Sequence, residues 1–142
     1  MNITRKKIFY LLFVVLLLLC VPGTVWTEES IVPAAEQTLK RAVMCESIQK
    51  LLPANDSVVF SLELGRVYCF TEFDPVPVQS IIHHKWYRRG SLVTVKPLTL
   101  NPPRWSSFST IQLRELDKGP WQVEIIGDDD KVLRTLRFSI TD

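Results

Sequence analysis

From residue 38 onward, short runs of alternating apolar and polar residues are separated by turn residues, and this pattern limits the possible folds more than any other feature. In one such run Trp121, Val123 and Ile125 alternate with Gln122 and Glu124. A period of two residues is typical of a β-strand that buries one face and exposes the other. The pattern therefore predicts a sheet structure without amphipathic helices.

The alternating runs predict about eight short strands, with turns at intervals typical of all-β domains. The predicted strands are Leu39–Ile48, Ser57–Leu64, Val67–Phe73, Gln79–Arg88, Leu92–Leu100, Trp105–Leu113, Trp121–Ile126 and Val132–Ile140. The short spacing between the second and third strands predicts a hairpin. We expect an all-β fold, namely an antiparallel β-sandwich of immunoglobulin-like type with about seven or eight strands. A small barrel is the alternative.

The N-terminus has the pattern of a secretory signal. Three basic residues, Arg5, Lys6 and Lys7, precede an unbroken apolar run over residues 8–21, which ends at a Pro-Gly pair. If residues 24–26 are added, the run approaches the ~20 residues that span a bilayer. Two fates therefore stay open, a removed signal peptide and an uncleaved membrane-anchor helix within residues 8–26. Lipid attachment at Cys20 is less favoured because the preceding Leu19 is large.

These features predict three segments: a signal peptide or membrane anchor at 1–26, a polar tether at 27–37, and a β-sandwich domain at 38–142. The chain has 17 basic and 15 acidic residues, and without the three leader cations 14 basic residues face 15 acidic ones. The basic balance of the whole chain thus comes largely from the leader. Nothing in this balance favours a nucleic-acid partner.

Two cysteines, Cys45 and Cys69, lie in the predicted domain. In an exported protein an even pair favours a disulfide. That bond would close a loop of about 24 residues and contribute roughly 3 kcal/mol in the chain-entropy model. The alternative is a pair of buried free thiols, since cysteine packs as a small apolar residue. The spacing lacks the Cys/His clusters of a zinc site, and no metal or cofactor is predicted.

The stretch Gln79–Arg88 holds the two histidines of the chain. Neighbouring strand residues point to opposite faces, so His83 and His84 cannot chelate one ion together without a bulge in the strand. His84 shares an apolar face with Trp86. We consider two roles for it, a half-buried histidine with a hydrogen-bond partner and a ligand contact beside Trp86.

Other candidate binding residues are aromatic or cationic. Trp105 follows a Pro-Pro-Arg break at the start of a strand, a position where rim aromatics bind sugars or partner chains. The predicted ligand-binding set is His84, Trp86, Tyr87, Arg104 and Trp105. No catalytic residue is predicted, because the serines after Trp105 lack a nucleophile-elbow context.

Six segments occur in an order that resembles a known family. They are Ala42–Cys45, Val67–Thr71, His84–Tyr87, Trp105–Ser109, Gly119–Val123 and Asp130–Leu133 with Phe138. This set resembles the bacterial DUF2914 family, a domain of unknown function found in exported or membrane-tethered proteins. The resemblance implies an all-β exported module over most of residues 38–142 and implies no activity.

The chain departs from the family pattern in the motif that begins at Trp105. The family usually has an arginine directly after this tryptophan and a second tryptophan further on, where this chain has Ser106 and Phe108. Arg104 precedes the tryptophan and does not occupy the same place. An anion-binding role for the family's arginine is therefore not carried over to this chain.

The expected function is that of a non-catalytic binding or interaction module of the cell envelope, located in the periplasm or another extracytoplasmic space. Its expected partner is an envelope protein or glycan, and residues 8–26 would contact the membrane if the leader is retained. One alternative is a structural accessory domain of a membrane assembly. A further, less favoured alternative is an envelope hydrolase that uses His84.

Overall fold

The computed structural model describes residues 35–142, so the predicted leader and most of the predicted tether lie outside the described residues. Nine β-strands and two single-turn 3-10 helices, Leu62–Leu64 and Glu115–Asp117, make up this region. The strands are β1 (Leu39–Gln49), β2 (Leu52–Asp56), β3 (Val59–Ser61), β4 (Arg66–Phe73), β5 (Ser80–Arg88), β6 (Ser91–Leu100), β7 (Trp105–Gln112), β8 (Gly119–Ile126) and β9 (Val132–Thr141). Within residues 35–142, no helix is long and apolar enough to cross a membrane.

The strands form two sheets. One sheet has four strands in the order β2-β1-β4-β7, and the other has five in the order β3-β9-β8-β5-β6. The short pair of β3 with β9 is parallel, and the other strand pairs of the described region are antiparallel. Inward side chains of both sheets form common apolar clusters. The predicted all-β fold with two packed sheets is thus confirmed.

The centre of the larger cluster is an aromatic group. The ring of Phe138 on β9 lies edge-on to Phe60 at 5.9 Å and to Trp86 at 6.1 Å, and it stacks on Trp121 at 6.1 Å. All four residues are buried. Burying one large apolar side chain contributes about 1.5–3 kcal/mol, and favourable ring geometry adds about 0.5–1.5 kcal/mol per pair. These rings therefore join β3, β5, β8 and β9 firmly to the core.

The predicted hairpin between Ser57–Leu64 and Val67–Phe73 is wrong. The first segment divides into β3 and a 3-10 turn, and β4 pairs with β1 and β7 instead. The turn is capped by the Ser61 hydroxyl, which accepts from the Glu63 amide, and it ends at Gly65 with a φ of 70°. Glycine adopts this left-handed conformation without steric cost. Here it ends a helical turn and redirects the chain to the other sheet.

Strand β2 is absent from the strands that the sequence pattern predicts, because Pro53 and the Asn55-Asp56 pair are residues typical of turns. It forms a hairpin with β1, and Lys50 and Leu51 in the connecting turn have positive φ values of 48° and 62°. A two-residue hairpin turn with both central residues in this region is of type I′.

Strand β5 lies between β6 and β8, as expected for a strand inside a sheet. Its neighbour β6 is one edge of the five-stranded sheet, and β7 is one edge of the four-stranded sheet. The two edge strands lie side by side where the sheets meet. This arrangement places inward residues of β5, β6 and β7 along one side of the sandwich.

Candidate functional site

His84, the first candidate residue of the sequence, lies in the core and has no exposed surface. Its Nδ1 atom lies 2.8 Å from the Ser109 hydroxyl, which also accepts a hydrogen bond of 3.1 Å from the Trp86 indole N–H. Its Nε2 atom lies 3.5 Å from the Thr71 hydroxyl, and that hydroxyl donates to the Ser107 carbonyl at 3.3 Å. The network joins β5 of one sheet to β4 and β7 of the other.

The chemistry of the groups in this network indicates which atom donates in each hydrogen bond. The indole N–H of Trp86 can only donate, so the Ser109 hydroxyl accepts from it and is free to donate to Nδ1 of His84. The Nε2–H of His84 then faces the Thr71 hydroxyl, which directs its own proton to the Ser107 carbonyl. With this tautomer each donor faces an acceptor. The network therefore favours a neutral imidazole with its proton on Nε2.

Burial lowers the pKa of His84 from 6.5 to about 4, since a charged ring would lose its hydration in the core. The ring is thus neutral near pH 7. Among its hydrogen-bond partners there is no carboxylate that would orient it as a catalytic base. The structure accordingly gives His84 the role of a buried polar link between the sheets.

The other predicted ligand residues lie on different surfaces. Tyr87 points to the outer face of the five-stranded sheet, where burial and the nearby Glu124 carboxylate raise its pKa. Trp105 begins β7 opposite Phe73 and is 38% exposed, and Arg104 beside it is exposed.

With Trp86 and His84 inside the core, the five predicted residues do not meet on one surface. Their joint binding of a ligand therefore has no common site in this fold. A role in binding for Tyr87, Arg104 or Trp105 alone stays a prediction.

The predicted disulfide is not formed, because Cys45 and Cys69 are free and buried. Met44 lies directly opposite Cys69 in the pairing of β1 with β4, and Cys45 lies opposite Tyr68. Directly opposed residues point to the same face of a sheet, and consecutive residues of a strand point to opposite faces. The side chains of Cys45 and Cys69 therefore point to opposite faces. Burial raises the pKa of Cys45 to about 11 and raises that of Cys69 still more. Neither thiol is reactive near neutral pH.

A polar concavity lies along the side of the sandwich where β6 and β7 adjoin, and we call it the side groove. It has a volume of about 510 Å³, within the usual range for ligand sites. It is lined by Arg66, Val93, Thr94, Lys96, Thr110, Ile111, Gln112, Arg114, Asp117 and Trp121. These residues come from β4, β6, β7, β8 and the loop between β7 and β8.

Positive charge dominates the side groove. Within residues 35–142, none of Arg66, Lys96 and Arg114 forms an ion pair with an acidic side chain. Asp117, the acidic lining residue, is neutralised by Arg88 at 2.8 Å and accepts from the Arg114 backbone amide at 2.8 Å. The groove therefore presents three uncompensated cations.

None of these three cations belongs to the ligand-binding set that the sequence predicts. Lys96 lies between Thr94 and Leu98 on the inward face of β6. A polar residue at a core-facing position of a strand is a signal of an unusual environment. Arg66 and Arg114 carry no such signal, since each follows a turn or loop position. Their proximity depends on how the sheets pack.

Metal-ligand groups and the acidic turn after β8 are two further places where a site could lie. Within the described residues no group of three or more His, Cys, Asp or Glu side chains is placed to hold a metal ion. The acidic turn Asp128–Asp130 forms the connection between β8 and β9, where Asp129 pairs with Lys131 at 2.7 Å. The residues of this turn are exposed, so it is a solvated connection between two paired strands.

The two packed sheets define an all-β sandwich domain. The domain contains the buried polar link of His84 and has the basic side groove on one side. The family model described as "Protein of unknown function (DUF2914)" matches residues 79–140. This match confirms the resemblance to DUF2914, and it extends from the start of β5 into β9. No curated protein matches the sequence.

Among solved structures, the domain is similar to part of a beta-glucosidase from Listeria innocua in complex with glucose, at 8% identity and a TM-score of 0.46. It is also similar to part of a Beta-D-glucoside glucohydrolase from Trichoderma reesei, at 12% identity and a TM-score of 0.43. Each alignment covers 75% of this chain but 16% and 19% of those chains. Similarities this low carry no argument about activity.

Proposed function

We propose that the protein is a non-catalytic binding module of the cell envelope and that the side groove is its binding surface. The observation that carries this proposal is a ligand-sized concavity with three uncompensated cations beside two sheet edges. The basic and apolar pattern of residues 1–26 supports export, with the leader acting as signal peptide or anchor. The expected partner is an envelope protein or glycan.

The fine topology supports an immunoglobulin-like sandwich. The order β1-β4-β7 corresponds to strands A, B and E of that fold, and the order β9-β8-β5-β6 corresponds to G, F, C and C′. Trp86 then occupies strand C, where immunoglobulin domains have their buried tryptophan. Domains of this type commonly present loops and edges to partners. We propose this finer class for the fold.

The burial of His84 weighs against the alternative of an envelope hydrolase. A catalytic base must come within hydrogen-bond reach of its substrate, and this ring has no exposed surface. The other alternative, an accessory domain of a membrane assembly, requires that the leader stay attached. Intact-mass measurement of the exported protein distinguishes it, since removal of residues 1–26 would exclude an anchor within them.

A matched pair of valine substitutions tests the binding surface. Val93 lines the side groove, Val59 lines a different concavity on β3, and both are 52% exposed. Val93→Trp fills the groove without removing a charge, and Val59→Trp places the same bulk elsewhere. The assay is binding of the labelled, exported protein to an isolated envelope fraction, with and without protease treatment.

We expect Val93→Trp to weaken binding at least about tenfold, a loss of ~1.4 kcal/mol, while Val59→Trp leaves it unchanged. Loss of binding after protease treatment identifies a protein partner, and persistence identifies a glycan. Equal binding by both variants and the wild type contradicts the proposed surface. Thermal melting of both variants confirms that each is folded.

A further inference from the structure

We infer that the side groove binds an anionic group, a phosphate or carboxylate carried by its ligand. This inference rests on the proposed function and names the ligand class of the same site. The cations on its walls come from three separate elements: Arg66 from the start of β4, Lys96 from β6, and Arg114 from the loop after β7. They converge only because β6 and β7 lie side by side.

The acidic residue of the groove does not neutralise its three cations. Asp117 lies within it, but Arg88 from β5 already neutralises this carboxylate, and the residue is only 9% exposed. Arg88 in turn lies over the Trp121 ring at 6.0 Å. The three lining cations therefore act on whatever enters the groove rather than on Asp117.

The chemistry of the lining suits oxygen anions. A guanidinium presents a planar fork of donors that matches a carboxylate or a phosphate, and an ammonium adds a point charge. Thr94 and Gln112 add neutral donors at the same surface. The side chains of Val93 and Ile111 make part of the wall apolar, which lowers the local dielectric and strengthens each charge interaction.

A second concavity shows the opposite chemistry. It lies near the start of the described chain and is lined by Glu36, Asp128 and Asp129, with Lys131 as its cation. Since Lys131 pairs with Asp129, that surface is net acidic. An anionic ligand would therefore select the side groove and be repelled from this second concavity.

Titration of the isotope-labelled exported protein with defined probes tests the inference. The probes are inorganic phosphate, a hexaglutamate peptide and, as a neutral control, maltohexaose, and the readout is the amide NMR shifts of Thr94, Lys96 and Thr110. We expect saturable shifts with phosphate, hexaglutamate or both, none with maltohexaose, and weaker binding at higher salt because counter-ions screen exposed charges. A response to phosphate alone indicates a phosphate-bearing ligand, and a response to hexaglutamate alone indicates carboxylates.

A charge-matched control separates the groove from the general charge of the protein. The groove variant combines Arg66→Gln, Lys96→Gln and Arg114→Gln. The control variant combines Lys40→Gln, Arg134→Gln and Arg137→Gln, which removes the same residue types from exposed positions outside the groove. We expect at least about a tenfold loss of anion affinity in the groove variant only.

Two outcomes overturn the inference: no anion shifts the wild type, or both triple variants lose affinity equally. Its failure is distinct from failure of the proposed function. If anions fail to bind but Val93→Trp still abolishes envelope binding, the binding surface stands and its ligand is not anionic. If anions bind but Val93→Trp leaves envelope binding intact, the anion site stands and the proposed function fails.

Discussion

At the scale of single residues, the chain uses the buried imidazole of His84 for structure. Hydroxyls from the facing sheet contact both ring nitrogens of His84, and burial keeps the ring neutral. Its hydrogen bonds are therefore made to groups in the core. Strand alternation in the sequence correctly placed His84 with Trp86 on one face. The sequence could not show that this face is wholly sealed, because the hydroxyls that enclose it belong to β4 and β7.

Removal of the central hydroxyl tests this network. Ser109→Ala leaves the Trp86 indole N–H and the His84 ring nitrogen without a partner in the core. We expect a loss of about 1–3 kcal/mol in the free energy of unfolding, the usual cost of unsatisfied buried groups. Urea denaturation measures it, with Ser106→Ala on the exposed face of the same strand as the control. A loss equal to that of the control contradicts the network.

The same ring predicts how stability depends on pH. The pKa of His84 is about 4 in the folded state and 6.5 in the unfolded state, so between these values the unfolded chain binds more protons. Stability should therefore rise with pH across this window, by about 3 kcal/mol in total.

Urea denaturation at several pH values measures this change, with His84→Leu as the reference. This variant is expected to be less stable at neutral pH, yet its stability should change much less between pH 4 and 6.5. Parallel pH profiles for the two proteins would show that His84 does not titrate as the fold requires.

The cysteines provide a third test at this scale. Because both thiols are buried and free, we expect Cys45 and Cys69 to resist alkylation in the folded protein. After unfolding without reductant, peptide mapping should find an adduct on each. If neither alkylates until reductant is added, a disulfide joins them and the register between β1 and β4 is wrong.

At the scale of elements, the sequence predicted strands better than their partners. Bounds such as those of β5 to β9 follow from alternation and from Gly and Pro breaks, which are local signals. Pairing is not local: short spacing favours a hairpin of Val67–Phe73 with the preceding segment, whereas β4 pairs with β1 and β7. The segment before β4 and the strands β1 and β7 all carry apolar residues, so the sequence did not show which of them pairs with β4.

The β1–β2 turn offers a prediction at the element scale. Leu51 has a φ of 62° and is 74% exposed, so it adopts a left-handed conformation that costs an L-residue about 1–2 kcal/mol and buries little in return. We expect Leu51→Gly to leave stability unchanged or raise it by up to ~1 kcal/mol.

Thermal unfolding checks this expectation, with Leu52→Gly as the matched control. Leu52 is also exposed, at 60%, but its φ is not positive and it begins β2. Glycine there should lower stability because it weakens a strand. Equal losses in the two variants would mean that the turn is not of the left-handed type.

At the scale of the whole molecule, the proposed binding surface lies where elements distant in sequence meet. Arg66, Lys96 and Arg114 are separated by 18 to 48 positions and share no motif. The predicted ligand set failed to converge for the converse reason, since residues such as Trp86 and Tyr87 are neighbours in sequence but point to opposite faces. Fold class was therefore predictable from local pattern, whereas the candidate surface required the packing of the two sheets.

The most direct test of the binding surface is one titration of the isolated envelope fraction with three proteins. These are the wild type, the groove variant that lacks the charges of Arg66, Lys96 and Arg114, and the control variant that lacks those of Lys40, Arg134 and Arg137. We predict an affinity at least about tenfold lower for the groove variant, a loss of ~1.4 kcal/mol, and an unchanged affinity for the control variant. Equal affinities for all three proteins would contradict an anion-binding side groove as the site of envelope recognition.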